Sequence, residues 1–212
     1  MLIARRMESL ADPKWLSARD ADALARMRNP RRRTSFVLGR TLVAELLTRG
    51  SAAPWAPVEI DALGKPAVRD GPGISLSHAE DFVACAMCAS TAVGVDVELL
   101  SRIASPGRLV PLVAHDAEID LLHACGPGDL AALFRRCWTR KEAALKAAGV
   151  GLRYDPRRID VLSSDFVRPM GRTGLLRLLD LFPASAELGG AVATPAAVID
   201  VVGCSLEAAP CG

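Results

Sequence analysis

An α+β fold of two similar halves, each a helix followed by a small antiparallel sheet, is what this 212-residue sequence predicts. Three observations carry that prediction. Residues 33–49 and 129–149 keep apolar side chains at helical spacing and run into glycine. Alternating, β-branched runs follow each helix. The stretch "SRIASPG" (101–107) punctuates the chain near its middle, which places the domains at 1–100 and 101–212.

Taken in order, Phe36, Val37, Leu42, Val43, Leu46 and Leu47 form the stripe of the first helix, and Gly50 stops it. The Pro/Gly-rich passage 53–73 leaves room for a short strand at best. Residues 74–90 and 92–99 read as strands of one hairpin or meander. A weak helix spans 107–124, and the strong one follows with Asp129 as N-cap and Gly149 as C-cap. Residues 158–165, 174–182 and 191–203 read as the strands of the second half. No close sequence repeat accompanies the duplication.

Composition sets the class. Half the residues are hydrophobic, as in a globular protein, and the net charge of +2 is far below that of a dedicated nucleic-acid binder. The N-terminal residues lack the apolar run of a signal peptide, and no segment has membrane-span length. The reading is a cytoplasmic protein. Cys85 and Cys88 form a C-x-x-C inside a predicted strand, so they point to opposite faces, and no second pair completes a zinc set. Core packing is the expectation for both.

The stretch "GVDVELL" (94–100) sets two acids into an otherwise apolar strand. Asp96 and Glu98 share a face, their carboxylates ~6–7 Å apart, which costs about 2–3 kcal/mol of repulsion at an effective dielectric near 20. Something positive must offset it. On the strong helix, Trp138, Glu142 and Lys146 fall at i, i+4 and i+8 on one face. A surface Glu–Lys pair is the bland reading. With Asp96 and Glu98, however, Glu142 completes an oxygen-donor set suited to Mg²⁺, and Lys146 one turn on would neutralise a phosphate. The chain holds 22 arginines and only four lysines, at 14, 65, 141 and 146, so each lysine is a candidate for a site that wants a compact ammonium.

Together these residues resemble the surfactin-type 4'-phosphopantetheinyl transferases. "GVDVE" and "WTRKEAALK" (138–146) match that family's paired signature, preceded in order by "GRTLVAELL" (39–47), "GKP" (64–66) and "ISLSH" (74–78), and followed by "GVGL" (149–152). The resemblance covers roughly residues 28–161. It implies a pseudo-dimer of two α/β halves in one chain, working as a monomer. It also implies transfer of 4'-phosphopantetheine from coenzyme A to a serine of an acyl or peptidyl carrier protein, with release of 3',5'-ADP. Asp96, Glu98 and Glu142 match the Mg²⁺ ligands, Lys146 the lysine on the pyrophosphate, and Lys141 a basic residue beside it. Arg28, Arg40, Thr41, Lys65, Ser77 and His78 match coenzyme A contacts, His78 beside the 3'-phosphate.

Two departures stand out. Ala79 replaces the second hydroxyl of the family's Ser-His-Ser motif, and "LVPLVAHDAEIDLL" (109–122) lacks the usual aromatics before an acid, here Glu118. For the base that deprotonates the carrier serine the resemblance leaves Glu142, a metal-bound water or Glu118. Two rival readings remain. Clustered acids with a lysine also serve a Mg²⁺-dependent nuclease, and a non-catalytic coenzyme A-binding relative would keep the same motifs. His115 and His123 carry no expected role, and Trp138 is expected to anchor the helix in the core.

Overall fold

Strand alternation and helical stripes give way to two compact units in the computed structural model, which describes residues 2–5, 16–50, 58–60, 65–89, 92–169, 174–183, 185–198 and 204–206. The units are residues 1–91 with 200–212, and residues 92–199. The sequence reading put the break at 100/101, so strand 94–99 lies in the second unit instead of closing the first.

The first unit holds β1 (Leu2–Arg5), α1 (Ala18–Arg26), α2 (Pro30–Gly50), β2 (Val58–Ile60), β3 (Pro66–Val68), β4 (Gly73–Ala79), β5 (Phe82–Cys88) and, from the chain's end, β10 (Cys204–Leu206). Its four-stranded sheet runs β10-β1-β5-β4, antiparallel except for the β1–β10 pair. Leu38, Leu42, Val43 and Leu46 of α2 are buried with Ile74, Val83 and Cys85 of the sheet. Cys85 is fully buried and Cys88 half-buried, both as free thiols. Ser17 caps α1 in a reciprocal box with Asp20: the Asp20 amide donates to the hydroxyl at 3.1 Å, and the Ser17 amide donates to the carboxylate at 3.1 Å.

The second unit holds β6 (Gly94–Leu99), α3 (Pro106–Val113), α4 (Asp116–Ala124), α5 (Pro127–Ala148), β7 (Phe166–Val167), β8 (Leu176–Leu181) and β9 (Leu188–Pro195). An antiparallel sheet runs β6-β9-β8-β7, and α5 lies across β6 and β9. The helix comes close because its buried face is small: Ala143, Ala144 and Ala147 meet Ala191, Ala193, Leu176 and Leu178. A second cluster joins Val110, Val113, Leu122 and Phe134 beneath α3 and α4. Among the described residues no helix is long and apolar enough to cross a membrane.

The structure departs from the expected elements at four places. The weak helix is two, α3 and α4, broken where His115 caps α4 by accepting from the Ala117 amide through Nδ1 at 3.2 Å. Helix α5 starts at Pro127 with Gly126 as N-cap, and Asp129 sits in its first turn, where its charge favours the positive end of the helix dipole. Residues 158–165 form no strand, because buried side chains serve their backbone: Val161 N–H donates to Glu118 at 2.7 Å and Val161 C=O accepts from Arg140 at 2.9 Å. Strand β6 pairs with β9, and β4 and β5 make their hairpin without it. Gly64 of "GKP" and residues 199–203 of the expected last strand lie outside the described residues.

Candidate active site

Strand alternation turns Gly94, Asp96 and Glu98 to the face of β6 that meets α5. Gly94 is required there. A Cβ on it would lie 2.6 Å from the Ala147 amide nitrogen and closer still to the Ala143 carbonyl oxygen. The strand backbone therefore presses on the helix backbone, and the next residues along the strand meet side chains further back along the helix. Lys146 Nζ donates to Asp96 Oδ1 at 2.7 Å and to the Val95 carbonyl at 3.1 Å. Trp138 lies near enough to Glu98 to favour its charged form.

Glu142 completes the cluster, within the electrostatic reach of Asp96, Glu98 and Lys146. Burial pushes the Glu98 carboxyl above the ordinary carboxylate range, Asp96 and Glu142 add to this, and Trp138 and Lys146 oppose it. Burial also raises Glu142, Asp96 adds to the rise, and Lys146 resists it. One ammonium thus touches one carboxylate and lies within electrostatic reach of two more, an excess of negative charge that a divalent cation would relieve, and all-oxygen donors suit Mg²⁺. As the side chains stand, no three His, Cys, Asp or Glu among the described residues are gathered closely enough to hold a metal ion. The counter-charge that the strand acids demand is Lys146 itself.

Lys141 does not join this cluster. Its side chain is fully buried, with Nζ 2.7 Å from Glu118 Oε2, donating also to the Pro156 carbonyl at 2.9 Å and to the Ile159 carbonyl. The expected contact with pyrophosphate is corrected accordingly: no part of the ammonium reaches solvent. Glu118 is equally buried and also accepts from the His115 amide at 2.7 Å, which leaves it no way to meet a carrier serine. Arg140, the residue between Thr139 and Lys141, points a third way, donating to Asp180 at 2.6 and 2.8 Å and to Asp165 at 2.8 Å.

In the first unit, Arg40 is buried, with Nε donating to Asp20 at 2.8 Å and its guanidinium 4.5 Å from the centroid of the Phe36 ring. Burial would raise the Asp20 carboxyl, but bonds from Arg40 and Ser17 outweigh it and hold the group below its ordinary value. Thr41 donates back to the Val37 carbonyl at 3.0 Å. On β4, Ser77 is buried and His78 exposed, as alternation demands, and His78 Nε2 lies 3.9 Å from where a methyl on Gly39 would be. Lys65 is half-buried and Arg28 exposed.

Sequence reasoning missed three partners. Asp20 was signalled by its spacing from Ser17, whereas the Glu118–Lys141 pair and the nearness of Trp138 to Glu98 were signalled by nothing local. An open pocket of about 550 Å³ beside the N-terminal half of α5 is lined by Leu133, Arg135, Arg136, Thr139, Phe182 and Gly190 among others, and holds none of the expected site residues.

Residues 92–193 match the family model described as the 4'-phosphopantetheinyl transferase superfamily, a stretch that takes in β6, α5 and β9. Among curated proteins, the chain is similar to 4'-phosphopantetheinyl transferase HetI of Nostoc sp. (strain PCC 7120), 30% identical over 142 residues. That alignment covers 62% of this chain and 60% of HetI. It is also similar to 4'-phosphopantetheinyl transferase AcpT of Salmonella typhimurium, 32% identical over 120 residues, and to AcpT of Escherichia coli K12, 31% over 123 residues. Each AcpT alignment covers 56% of this chain, and 60% and 59% of the respective relative. The chain thus spans about three-fifths of the length of the curated relatives it matches.

Proposed function

We propose, from a second unit that matches the 4'-phosphopantetheinyl transferase superfamily, that this protein transfers 4'-phosphopantetheine from coenzyme A to a serine of an acyl or peptidyl carrier protein and releases 3',5'-ADP. One observation carries the reading: Lys146 of α5 contacts Asp96 of β6, with Glu98 and Glu142 within electrostatic reach of that pair, inside the matched stretch. The finer assignment to the surfactin-type branch rests on the quoted motifs and on both units carrying a long helix on a four-stranded sheet. A pseudo-dimer of halves, working as a cytoplasmic monomer, goes with that assignment.

In this mechanism Asp96, Glu98 and Glu142 would hold Mg²⁺. The ion, when bound, supplies charge neutralisation on the diphosphate and polarises the phosphorus to be attacked. Lys146 brings its ammonium to the phosphate oxygens as negative charge passes to the leaving 3',5'-ADP. Glu142 is the carboxylate of this cluster assigned to accept the proton of the carrier serine. In the first unit, Arg28, Arg40, Thr41, Lys65, Ser77 and His78 are assigned to the nucleotide end of coenzyme A. His78 and Arg28 are the exposed members, and Arg40 would have to share its guanidinium with Asp20.

Mass spectrometry of an apo carrier incubated with this protein, Mg²⁺ and coenzyme A tests the reading. The expected result is a gain of one phosphopantetheine arm, lost in Asp96→Asn. An unchanged carrier mass, together with Mg²⁺-dependent degradation of added DNA, would replace the transferase with the nuclease.

A further inference from the structure

Lys146 occupies a position with two claims on it. Its ammonium lies 2.7 Å from Asp96 Oδ1 and 3.1 Å from the Val95 carbonyl, both acceptors belonging to β6. The Asp96 side chain is only 6% exposed and that of Lys146 26%, so the pair is largely shielded from water and the contact is strong. Yet Asp96 is a carboxylate assigned to Mg²⁺, and Lys146 is the group assigned to the diphosphate. The contact ties together, through Asp96 Oδ1, the two groups assigned to different ligands. The absence of a gathered three-acid group among the described residues accords with this closed arrangement.

We propose that Lys146 is the resident counter-ion of the acid cluster, holding the place on Asp96 that the divalent cation takes, and that cation and diphosphate therefore bind cooperatively. The inference rests on the transferase reading. A cation arriving alone must take Asp96 Oδ1 from the ammonium and sit beside that positive charge, with no phosphate to draw the ammonium away. A cation arriving with a diphosphate releases Asp96 and provides Lys146 with phosphate oxygens a short side-chain swing away. Each ligand thus removes the cost that the other would bear, which is the definition of positive coupling. The exchange needs no movement of α5 or β6, since lysine reaches by rotating its own four-carbon stem.

Mn²⁺ binding to the whole chain, followed by electron paramagnetic resonance of the free ion, tests this without turnover. Wild-type protein is expected to bind Mn²⁺ weakly alone and at least tenfold more tightly when saturated with coenzyme A. With 3',5'-ADP, which lacks the diphosphate, the gain is expected to be small. Lys146→Met, checked for folding by circular dichroism, is expected to bind Mn²⁺ alone at least tenfold more tightly than wild type and to lose most of the coenzyme A effect. Wild-type Mn²⁺ affinity that is the same with and without coenzyme A, or a folded Lys146→Met that binds Mn²⁺ alone no more tightly than wild type, would overturn the proposal. If carrier modification still proceeds in that case, the transferase reading stands and only the counter-ion role falls. Absence of Mn²⁺ binding even with coenzyme A, in a protein that does not modify carrier, would remove both.

Discussion

Replacing Gly94 by alanine puts one methyl group between a strand and a helix that touch through their backbones. The new carbon would sit 2.6 Å from the Ala147 nitrogen, whereas ordinary contact begins at 3.4 Å, so the two elements must part by at least 0.8 Å (3.4 − 2.6). The Ala143 carbonyl demands more. Neither obstacle can rotate away, since both are main chain of α5. Overpacking of this kind costs about 1–3 kcal/mol, and backbone obstacles put Gly94→Ala near the top, at about 3 kcal/mol. The separation also stretches the 2.7 Å Lys146–Asp96 contact, since Lys146 is the neighbour of Ala147. A misplacement near 1 Å costs on the order of 100-fold in rate. Urea unfolding reads the first quantity and the rate of carrier modification the second. Gly128→Ala is the control, because nothing lies within 4 Å of its added carbon and it sits in the first turn of the same helix. It should stabilise by up to about 1 kcal/mol through helix propensity. If Gly94→Ala unfolds at the wild-type urea concentration and keeps the wild-type rate, the close approach does not position the site.

Three further perturbations address other parts of the molecule. Lys141→Met leaves Glu118 buried without its ammonium and should cost about 3–5 kcal/mol, with partial recovery in the double variant with Glu118→Gln. A loss under about 1 kcal/mol in denaturant would show the pair to be dispensable. In metal-free protein the raised Glu98 carboxyl binds more protons folded than unfolded at pH values between its ordinary 4.5 and its raised value. Its contribution to stability should therefore fall as pH rises through that window, and Glu98→Gln should lessen the fall. Parallel melting-temperature profiles for the two proteins would contradict this, whereas Mg²⁺ at neutral pH should raise the wild-type melting temperature. His78→Ala should raise the KM for coenzyme A more than it lowers kcat, and the reverse pattern would take His78 off the nucleotide end.

What could be read in the sequence was whatever depends on spacing along one element. The same-face pair Asp96 and Glu98 and the i, i+4, i+8 row on α5 follow from helix and strand periods alone, and the cluster uses both. Contacts between distant segments were hidden. Lys141 looked like a site lysine because its neighbours are site residues, but each helical step turns about 100°, so adjacency in sequence is separation in space. Its buried partner Glu118 is 23 positions away (141 − 118) on another helix. Residues 158–165 alternate like a strand, yet Lys141, Arg140 and Glu118 take up their backbone groups, a form of pairing that no local pattern announces. The placement of β6 was misread for the same reason. A strand's own residues do not name the sheet it will join, and β9, its partner, lies about a hundred residues downstream.

The neighbours Arg140, Lys141 and Glu142 face three separate surroundings: the Asp180–Asp165 pair, the Glu118 hub and the β6 acids. A helix committed on so many sides has no slack for a frame change. Inserting a single residue between Thr139 and Arg140 would turn everything beyond it by about 100°. The buried salt links would then be traded for mismatches at once, whatever the identity of the extra residue. A substitution along this stretch disturbs one of these surroundings, whereas a change of length disturbs all three together.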